Sequence, residues 1–592
     1  MKKYFKWGAL LLAVVSSAIA SERKPNVLII ISDDQGYGDF GFTGNKVVQT
    51  PAIDQLSKES AFFPYFLVGP ACTPTRASLF TGRNYLDTGV WGVGSRGKVR
   101  RDETLIPKFF TPSGYRTWAF GKMDGGLEMM EMTPIDRGFD SFFPGFGEGY
   151  AHHTKEGWAA ELITDAAIEK INEAGDTPWL SLVAYIIPHL PWVSPESYAE
   201  PFRQQGYSED IAQCYGSIKQ MDDQIARLLQ ALEDAGQADN TIVLFMSDNG
   251  SLDAMNNQEM GVWENWEEKR PHSPDWGIRN PLDLVGRKGE VWDNGIRSPL
   301  LVRWPGTIEP GIRKQPVGVE DVLPTLLELA QIPEAKHPEH FPFAGRSFRD
   351  SLERATATDD RDIFRVATGG PGVPVGEGAN TPDMKSLSYS SLHTILRNGK
   401  YKFHHLPGGV LRLYDMEADP TEKADLSKQM PERTNAMAGR ARAQWDEIAS
   451  HNRTFQMRQL RINNADNPED DEWPIQVLQP LLLTGKMDMH DYLGGVKGFQ
   501  FPGDRADYAV EVQEPFTAWF VIKGTSFDQS AEISLLLGEE SVSVKSRSAD
   551  TIVFGPVRLP EGRSPFSLAV ADDAKPGTAI AEVLEISLRL EP

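Results

Sequence analysis

Short apolar runs that end in charged or polar side chains constrain this sequence more than any other feature. Asn26–Ser32 (NVLIIIS) and Thr241–Ser247 (TIVLFMS) are apolar over nearly their whole length, which is typical of strands that a parallel sheet buries on both faces. Residues 180–187 and 299–302 extend the pattern, and amphipathic stretches such as 218–232 alternate with these runs. The alternation predicts an α/β domain with a central sheet, which we place at residues 21–355.

Polar side chains follow three of these predicted strands. The pairs are Asp33-Asp34, Pro188-His189 and Asp248-Asn249. A single aspartate after a strand would be read as a turn or a helix cap. In sheets of this kind, however, ligands bind at the carboxyl ends of the strands. Three such pairs therefore predict one shared site.

The rest of the chain changes pattern twice. Residues 356–460 hold shorter predicted strands and a polar helix, which indicates a smaller α+β subdomain. An acidic stretch, NNADNPEDDEW at 463–473, suggests a linker at 461–478. After it, evenly spaced alternating runs separated by Gly and Pro predict a β-sandwich at 479–592, an added accessory domain.

The net charge and the N-terminal residues limit the possible partners and the location of the protein. The 592-residue chain carries 83 acidic and 60 basic residues, a formal net charge of −23, which argues against nucleic acid as a partner. Residues 1–20 combine three lysines, a short apolar run and an Ala-Ile-Ala site, which predicts a cleaved signal peptide and export to the periplasm or the medium. The alternative is a membrane anchor, for which the run is short. We expect no membrane span after cleavage.

The chain has two cysteines, Cys72 and Cys214, which an exported protein could join in a disulfide. Cys72 opens the segment CTPTRASLFTGR. This segment resembles the maturation signature of the sulfatase family, Cys-x-Pro-x-Arg followed by Thr-Gly-Arg, with Thr75 where the family usually has Ser or Ala. The resemblance implies that a maturation enzyme oxidises Cys72 to formylglycine. Its hydrate offers one oxygen to attack sulfur and a second hydroxyl to expel the product.

The predicted shared site is rich in oxygen donors. Asp33, Asp34, Asp248 and the side-chain carbonyl of Asn249 form a set suited to calcium or magnesium and poor for zinc. The segments NVLIIISDDQGYGDF and Asp-Asn-Gly are similar to the family's metal-binding blocks, and the family usually holds calcium. A cation would also offset the repulsion between three carboxylates and an anionic ester.

Further resemblances assign the catalytic side chains. GYRTWAFGK is similar to the second family signature and implies that Lys122 contacts the sulfate. Pro-His-Leu-Pro at 188–191 matches the block in which a histidine, here His189, protonates the leaving oxygen. GRKGEVWDNGIRSP matches the block of a second sulfate-binding lysine, Lys288. The resemblance also implies that Arg76 helps to hold the nucleophile and that Asp248 helps to deprotonate it.

One position departs from the family. After Gly-Lys the family commonly has an aromatic residue and then a histidine, whereas this chain has Met123 and Asp124. Aspartate is shorter than histidine and, when ionised, only accepts hydrogen bonds. We expect that Asp124 serves as the base or binds a substrate hydroxyl. In the second case His152 or His153 would fill the vacancy from another loop.

The resemblance implies an alkaline-phosphatase-like α/β/α sandwich that hydrolyses sulfate esters. Export, the acidic surface and the added sandwich suggest a sulfated carbohydrate as substrate, such as an algal galactan or fucan. Two alternatives are a phosphonate or phosphate ester hydrolase on the same scaffold and a catalytically inactive glycan-binding protein. The intact motif at Cys72 argues against the inactive protein.

Overall fold

The structure is a computed structural model of the chain. Up to residue 450 it describes residues 23–90, 92, 99, 103–123, 133–146, 151–252, 275–355, 361–367 and 389–450. Beyond that point it describes residues 472–475, 482–484, 488–489, 496–497, 504–512, 515–527, 533–538, 540–570 and 580–589. The predicted signal peptide and Asp124 lie outside the described residues.

A central sheet of nine strands organises the described part of the first 350 residues. Its strand order is β4-β3-β5-β1-β6-β7-β2-β8, and β9 pairs with β2. The bounds are β1 Asn26–Ser32, β2 Ala61–Leu67, β3 Arg116–Gly121, β4 Ser141–Phe143, β5 Trp179–Ala184, β6 Thr241–Ser247, β7 Arg297–Arg303, β8 Gly311–Ile312 and β9 Val317–Gly318.

Both faces of this sheet are buried, as the apolar runs predict. Along β1 every residue is buried, and alternate side chains enter two different cores. Ile29 and Ile31 pack in the core on one face, whereas Leu28 and Ile30 pack in the core on the other. Burial of each such side chain contributes about 1.5–3 kcal/mol. The α/β/α architecture expected from the resemblance is confirmed.

Helices cover the sheet and connect its strands. They are α1 Pro51–Lys58, α2 Cys72–Thr81, α3 Ile106–Phe110, α4 Ala159–Glu173, α5 Glu196–Gln204, α6 Glu209–Asp234, α7 Trp276–Arg279, α8 Asp293–Ile296, α9 Val322–Leu329 and α10 Arg349–Glu353. Among the described residues no helix is long and apolar enough to cross a membrane.

The direction of one strand matters for the site. Strands β1, β5 and β6 run parallel, whereas β7 runs antiparallel to β6. The amino end of β7 therefore lies at the same edge of the sheet as the carboxyl ends of the parallel strands. The loop that precedes β7, which carries Lys288, reaches the same edge as the residues that follow β1 and β6.

A second sheet follows, as predicted for the smaller subdomain. It is antiparallel, in the order β10 (Asp362–Val366), β11 (Thr394–Asn398), β12 (Tyr401–Leu406) and β13 (Val410–Asp415). Helix α11 (Pro431–Ser450) packs on it through buried side chains that include Trp445. These side chains and those of the central sheet belong to one continuous hydrophobic cluster. The smaller sheet therefore shares a core with the central one.

The C-terminal part has two further sheets, of seven and five strands. Their bounds are β14 Glu472–Ile475, β15 Leu482–Thr484, β16 Asp488–Met489, β17 Val496–Lys497, β18 Arg505–Val512, β19 Phe516–Phe527, β20 Ile533–Leu537, β21 Glu540–Val542, β22 Val544–Arg547, β23 Thr551–Leu559, β24 Gly562–Val570 and β25 Ile580–Arg589. Side chains from both sheets form a cluster whose members all lie between 506 and 588. Strand β14 lies inside the predicted linker and pairs with β25, so part of that segment joins the sheet.

Candidate active site

Two neighbouring strand ends bring the predicted metal ligands together. Strands β1 and β6 pair in register up to Ser32 and Ser247, so the residues that follow each strand lie side by side. The backbone N–H of Asp34 donates to Asp248 Oδ1 at 3.1 Å. Asp34 adopts a left-handed backbone conformation, with φ of +63°. The pairing of the two strands thus places four predicted ligands at one edge of the sheet.

The orientation of Asn249 leaves its oxygen available. Its amide nitrogen donates to Asp34 Oδ1 and to the carbonyl of Gly250, both at 2.8 Å. Asn249 Oδ1 is buried and has no hydrogen-bond partner, and Asp33 Oδ1 is in the same situation. Buried acceptors without donors are costly unless a cation satisfies them. The donor set therefore fits a hard cation such as calcium or magnesium.

Cys72 is the first residue of the buried helix α2 and lies against these carboxylates. Its Sγ and one oxygen each of Asp33 and Asp248 all lie within 4.8 Å of one another. Thr75, one turn along, fixes this approach because its hydroxyl donates to the carbonyl of Asp248 and accepts from the N–H of Gly69. Thr75, like the serine that the family often has there, thus supplies a hydroxyl that joins the Cys72 helix to the Asp248 loop. The sequence alone did not reveal this role.

Arg76 is fully buried and ties three segments together. Its Nε and Nη2 donate to Asp248 Oδ2 at 3.1 and 2.8 Å, and Nη2 lies 3.7 Å from Asp33 Oδ2. Its Nη1 donates to the backbone carbonyl of Lys122. A planar guanidinium suits such a bridge because its donors have fixed directions. Arg76 therefore positions both Asp248 and the segment that carries Lys122.

The two predicted sulfate-binding lysines point into the same centre. Lys122 Nζ lies 2.6 Å from Asp33 Oδ2, and Lys288 Nζ lies 2.8 Å from Asp34 Oδ1. With Arg76 they supply three positive charges against the three carboxylates of the centre. With a divalent cation bound, the centre as a whole would carry a net positive charge. That charge would attract an anionic ester to a protein whose overall charge is negative.

His189 approaches the centre from the loop after β5. Its Nδ1 donates to the carbonyl of Leu190 at 2.6 Å, because a carbonyl only accepts. Its Nε2 faces Asp34 Oδ2 at 3.9 Å. Burial, followed by the positive charges of Lys122 and Lys288, lowers the pKa of His189.

The structure separates the two adjacent histidines proposed to fill the vacancy. His152 is 3% exposed, and neither of its ring nitrogens makes a hydrogen bond of normal geometry, although the backbone of His189 lies close enough to favour the protonated ring. Burial and the charge of His189 lower the pKa of His152 to about 4, while the charge of Asp33 acts in the opposite direction. His153 is exposed and packs its ring on Trp158 at 4.8 Å. His152 therefore belongs to the site and His153 to the surface.

The carboxylates differ in their electrostatic surroundings. Burial raises the pKa of Asp34, but Lys288, His189 and Lys122 outweigh it and hold this pKa well below its usual range. Burial and the neighbouring Asp33 raise the pKa of Asp248 to about 7 against the effect of Arg76. Lys288, His189 and Lys122 thus hold Asp34 as an anion, whereas burial and the neighbouring Asp33 make ionisation of Asp248 less favourable.

The two cysteines are not joined in a disulfide. Cys214 lies on helix α6 in the core, where burial raises the pKa of its thiol to about 12. Of the two cysteines, only Cys72 therefore lies beside the carboxylates and cationic side chains of the centre. The arrangement places a nucleophile position next to an oxygen-rich cation site and surrounds both with cationic groups, which suits attack on an anionic ester.

The chain is similar to known proteins. The family model described as Sulfatase matches residues 25–332. An uncharacterized sulfatase of Schizosaccharomyces pombe is 24% identical over 540 residues, covering 71% of this chain and 93% of the relative. The ulvan-active sulfatase of Formosa agariphila is 26% identical over 441 residues, covering 68% and 77%.

A solved structure agrees over most of the fold. The crystal structure of Ps i-CgsB, also solved in complex with k-i-k-neocarrahexaose, matches with a TM-score of 0.56 at 25% identity and covers 72% of this chain and 94% of that one. Proteins of the sulfatase family generally use a formylglycine and a metal ion, and the residues at this centre fit both. The chain belongs to the sulfatase family and is a sulfuric ester hydrolase.

Proposed function

We propose that this enzyme removes sulfate from a sulfated polysaccharide or oligosaccharide, with formylglycine at position 72 and calcium held by Asp33, Asp34, Asp248 and Asn249. The observation that carries the proposal is the approach of Cys72 to Asp33 and Asp248 within 4.8 Å, ringed by basic side chains. When present, the formylglycine hydrate supplies the nucleophilic oxygen and the cation supplies positive charge beside the sulfate.

The side chains of the chain itself would prepare the nucleophile. Asp248 lies beside position 72, where its carboxylate could accept a proton from a hydroxyl. Arg76 holds Asp248 in place through two hydrogen bonds to one oxygen. Lys122 and Lys288, freed from the carboxylates by a cation, would neutralise the sulfate oxygens as charge moves onto them.

The leaving group needs a proton, and His189 is placed to supply it. Because Nδ1 donates to Leu190, Nε2 faces the centre and carries a proton only in the imidazolium form, which is the form that would protonate the leaving oxygen. His152, which lies near enough to His189, Asp33 and Lys122 to feel their charges, would provide a second imidazole at the centre, and we propose that it hydrogen-bonds the sulfate or the leaving oxygen. Asp124 is then left to bind a substrate hydroxyl.

The relative named as ulvan-active supports a polysaccharide as the substrate class. Sulfate release from a panel of defined sulfated oligosaccharides and from aryl sulfate, phosphate and phosphonate esters tests it. We expect the highest kcat/KM on a sulfated sugar. A preference for phosphonate or phosphate esters would establish the alternative hydrolase, and binding without turnover would establish the glycan-binding alternative.

The nucleophile is tested by replacing Cys72 with Ala. Turnover should be abolished while the melting temperature is retained, and mass spectrometry of the wild-type peptide should show conversion of thiol to aldehyde. Active enzyme with a wholly unmodified thiol would contradict the proposal.

The cation is tested by chelation. Removal of metal should abolish activity, and calcium should restore it better than zinc because the donors are oxygens. A thermal shift on adding calcium to the Cys72→Ala variant reports binding without activity. Full activity in a verified metal-free sample would contradict the proposal that the enzyme requires calcium.

Export, the signal peptide at 1–20, the maturation enzyme as partner and the domain limits remain proposals. Secretion of the full chain with cleavage after Ala20, followed by N-terminal sequencing of the mature protein, tests the first two. A chain that keeps its N-terminus in the membrane fraction would favour the anchor.

A further inference from the structure

A buried ionic cluster joins the smaller sheet to the loop that carries Lys288. We call it the Glu422 cluster and define it as Glu422, Lys402, His404 and Asp293. All four side chains are almost completely buried. Lys402 and His404 lie on β12, Glu422 lies in the segment after β13, and Asp293 opens helix α8, just upstream of β7.

Short contacts run through the whole cluster. Glu422 Oε1 lies 2.8 Å from Lys402 Nζ and accepts from His404 Nε2 at 2.8 Å. Glu422 Oε2 accepts from the backbone N–H of Asp293 at 2.8 Å. Lys402 Nζ also donates to Asp293 Oδ1 at 3.0 Å. Both oxygens of Glu422 are therefore occupied by donors, one set from its own subdomain and one from the Lys288 loop.

Aromatic and apolar contacts reinforce the junction. The ring of Trp292 stacks on His404 with centroids 4.2 Å apart. Val291 and Ile296 of the loop belong to a small hydrophobic cluster with residues of the smaller sheet, Ile363 and Ile395 among them. The apolar contacts attach the loop to the sheet, while the directional hydrogen bonds of Glu422 fix its position.

The other side of the same loop touches the reaction centre. The N–H of Lys288 donates to the carbonyl of Ser251, and the N–H of Gly289 donates to the carbonyl of Pro70, two residues before Cys72. The N–H of Gly250 donates to Gly295, and a Cβ on Gly250 would lie 1.6 Å from the carbonyl oxygen of Asn294. Displacement of the loop would therefore reach both sides of the site.

A buried ionic cluster is a costly way to fasten a loop. Well-packed apolar residues of similar volume often make a protein as stable or more stable, whereas removal of one charged partner leaves the other buried charge uncompensated and is strongly destabilising. What the charged groups add is a defined geometry, because each N–H group points at one acceptor oxygen.

We propose that Glu422 and Lys402 are positioning residues that hold the Lys288 ammonium at the reaction centre from the smaller subdomain. The proposal rests on the role of Lys288 in the proposed sulfatase reaction. Neither residue touches substrate, and both act through the loop 285–297.

The first test compares matched variants. In Glu422→Gln one acceptor oxygen becomes an NH2 that faces a donor, while shape is kept. We expect kcat/KM for a small sulfate ester to fall roughly 10- to 100-fold, as for other groups that orient a catalytic side chain. Lys402→Met should act similarly. The control Lys400→Met removes a half-exposed lysine of the same hairpin, paired with Asp415, and should keep wild-type turnover.

A double-mutant cycle separates positioning from general destabilisation. If Glu422 acts through Lys288, then Lys288→Ala combined with Glu422→Gln should lose little more than Lys288→Ala alone. Independent losses that multiply in the double variant would overturn the proposal. Wild-type kcat/KM in Glu422→Gln would overturn it as well.

Hydrogen exchange provides a readout that does not depend on activity. Glu422→Gln should increase deuterium uptake in 285–297 relative to Lys400→Met. Should the wild-type enzyme release no sulfate from any ester, the proposed function fails, but this comparison still tests the positioning. Unchanged uptake in that segment would overturn it.

Discussion

Replacement of His152 by leucine should raise stability and lower activity at the same time. The side chain is buried, and neither ring nitrogen makes a hydrogen bond of normal geometry, the backbone of His189 being the polar neighbour that favours the protonated ring. With its pKa lowered to about 4, the imidazole is neutral at pH 7, with one N–H donor and one acceptor. A histidine at this position therefore lowers the stability of the folded state. Such a cost is expected where a side chain serves the reaction and not the fold.

The magnitude follows from these two nitrogens. A buried polar group without a partner costs about 1–3 kcal/mol, and a volume-conserving exchange to an apolar side chain costs less than about 1.5 kcal/mol. We therefore expect His152→Leu to increase the free energy of unfolding by about 1–2 kcal/mol, a rise in melting temperature of about 1–2.5 °C for a unit of roughly 400 residues. Loss of a hydrogen bond to the sulfate or the leaving oxygen should lower kcat by about 100-fold or more, as removal of one donor to a developing anion does.

Calorimetry and sulfate-release kinetics on the metal-loaded enzyme measure both effects. The matched control is His153→Leu, at an exposed neighbouring residue, where stability should change by less than about 0.5 kcal/mol and turnover should be retained. A destabilised His152→Leu variant would show that the ring serves packing. Unchanged kcat would refute its contact with the reacting groups.

Three further predictions concern thiols, pH and the C-terminal part. In denaturant a fully matured chain should titrate one thiol, that of Cys214, and an unmatured chain two; two thiols in fully active enzyme would contradict the conversion of Cys72. Asp222 accepts from two backbone N–H groups at the start of α1, and burial raises its pKa to about 6. The folded state therefore keeps a proton that the unfolded state releases near pH 3.8, so wild-type stability should fall between about pH 4 and 6 by up to about 3 kcal/mol. Chemical denaturation at several pH values should show that Asp222→Asn removes this fall and that Asp223→Asn does not. Because the C-terminal sheets have their own hydrophobic cluster, a chain ending at Asn463 should keep its kcat on an aryl sulfate, and an insoluble or inactive product would show that these sheets complete the catalytic part.

Sequence patterns predicted the strands well where burial alone decides the composition. The observed bounds of Asn26–Ser32 and Thr241–Ser247 agree with the predicted runs, because a strand covered on both faces must be apolar throughout. The run at 180–187 is less informative, since β5 ends at Ala184 while Tyr185 and the two following isoleucines stay buried beyond it. Apolar composition reports burial, and it does not show where the strand ends.

The residues of the centre itself could be predicted from the sequence, whereas the residues that hold them in position could not. Motif residues such as Cys72 and Lys288 could be identified because each sits in a recognisable local segment. Glu422 and Lys402 could not, because an isolated charged residue is read as exposed, and their partner Asp293 lies more than 100 residues away. The choice between His152 and His153 likewise required the three-dimensional loop.

The burial of helix α2 sets a time limit on maturation. All ten residues from Cys72 to Thr81 are buried, and Cys72 is 3% exposed. An enzyme that oxidises Cys72 needs the segment extended and accessible, a state that disappears once the sheet closes around it. If Cys72 is converted as we propose, conversion would have to take place in the newly made chain, before folding is complete, and folded enzyme that escaped it would stay inactive.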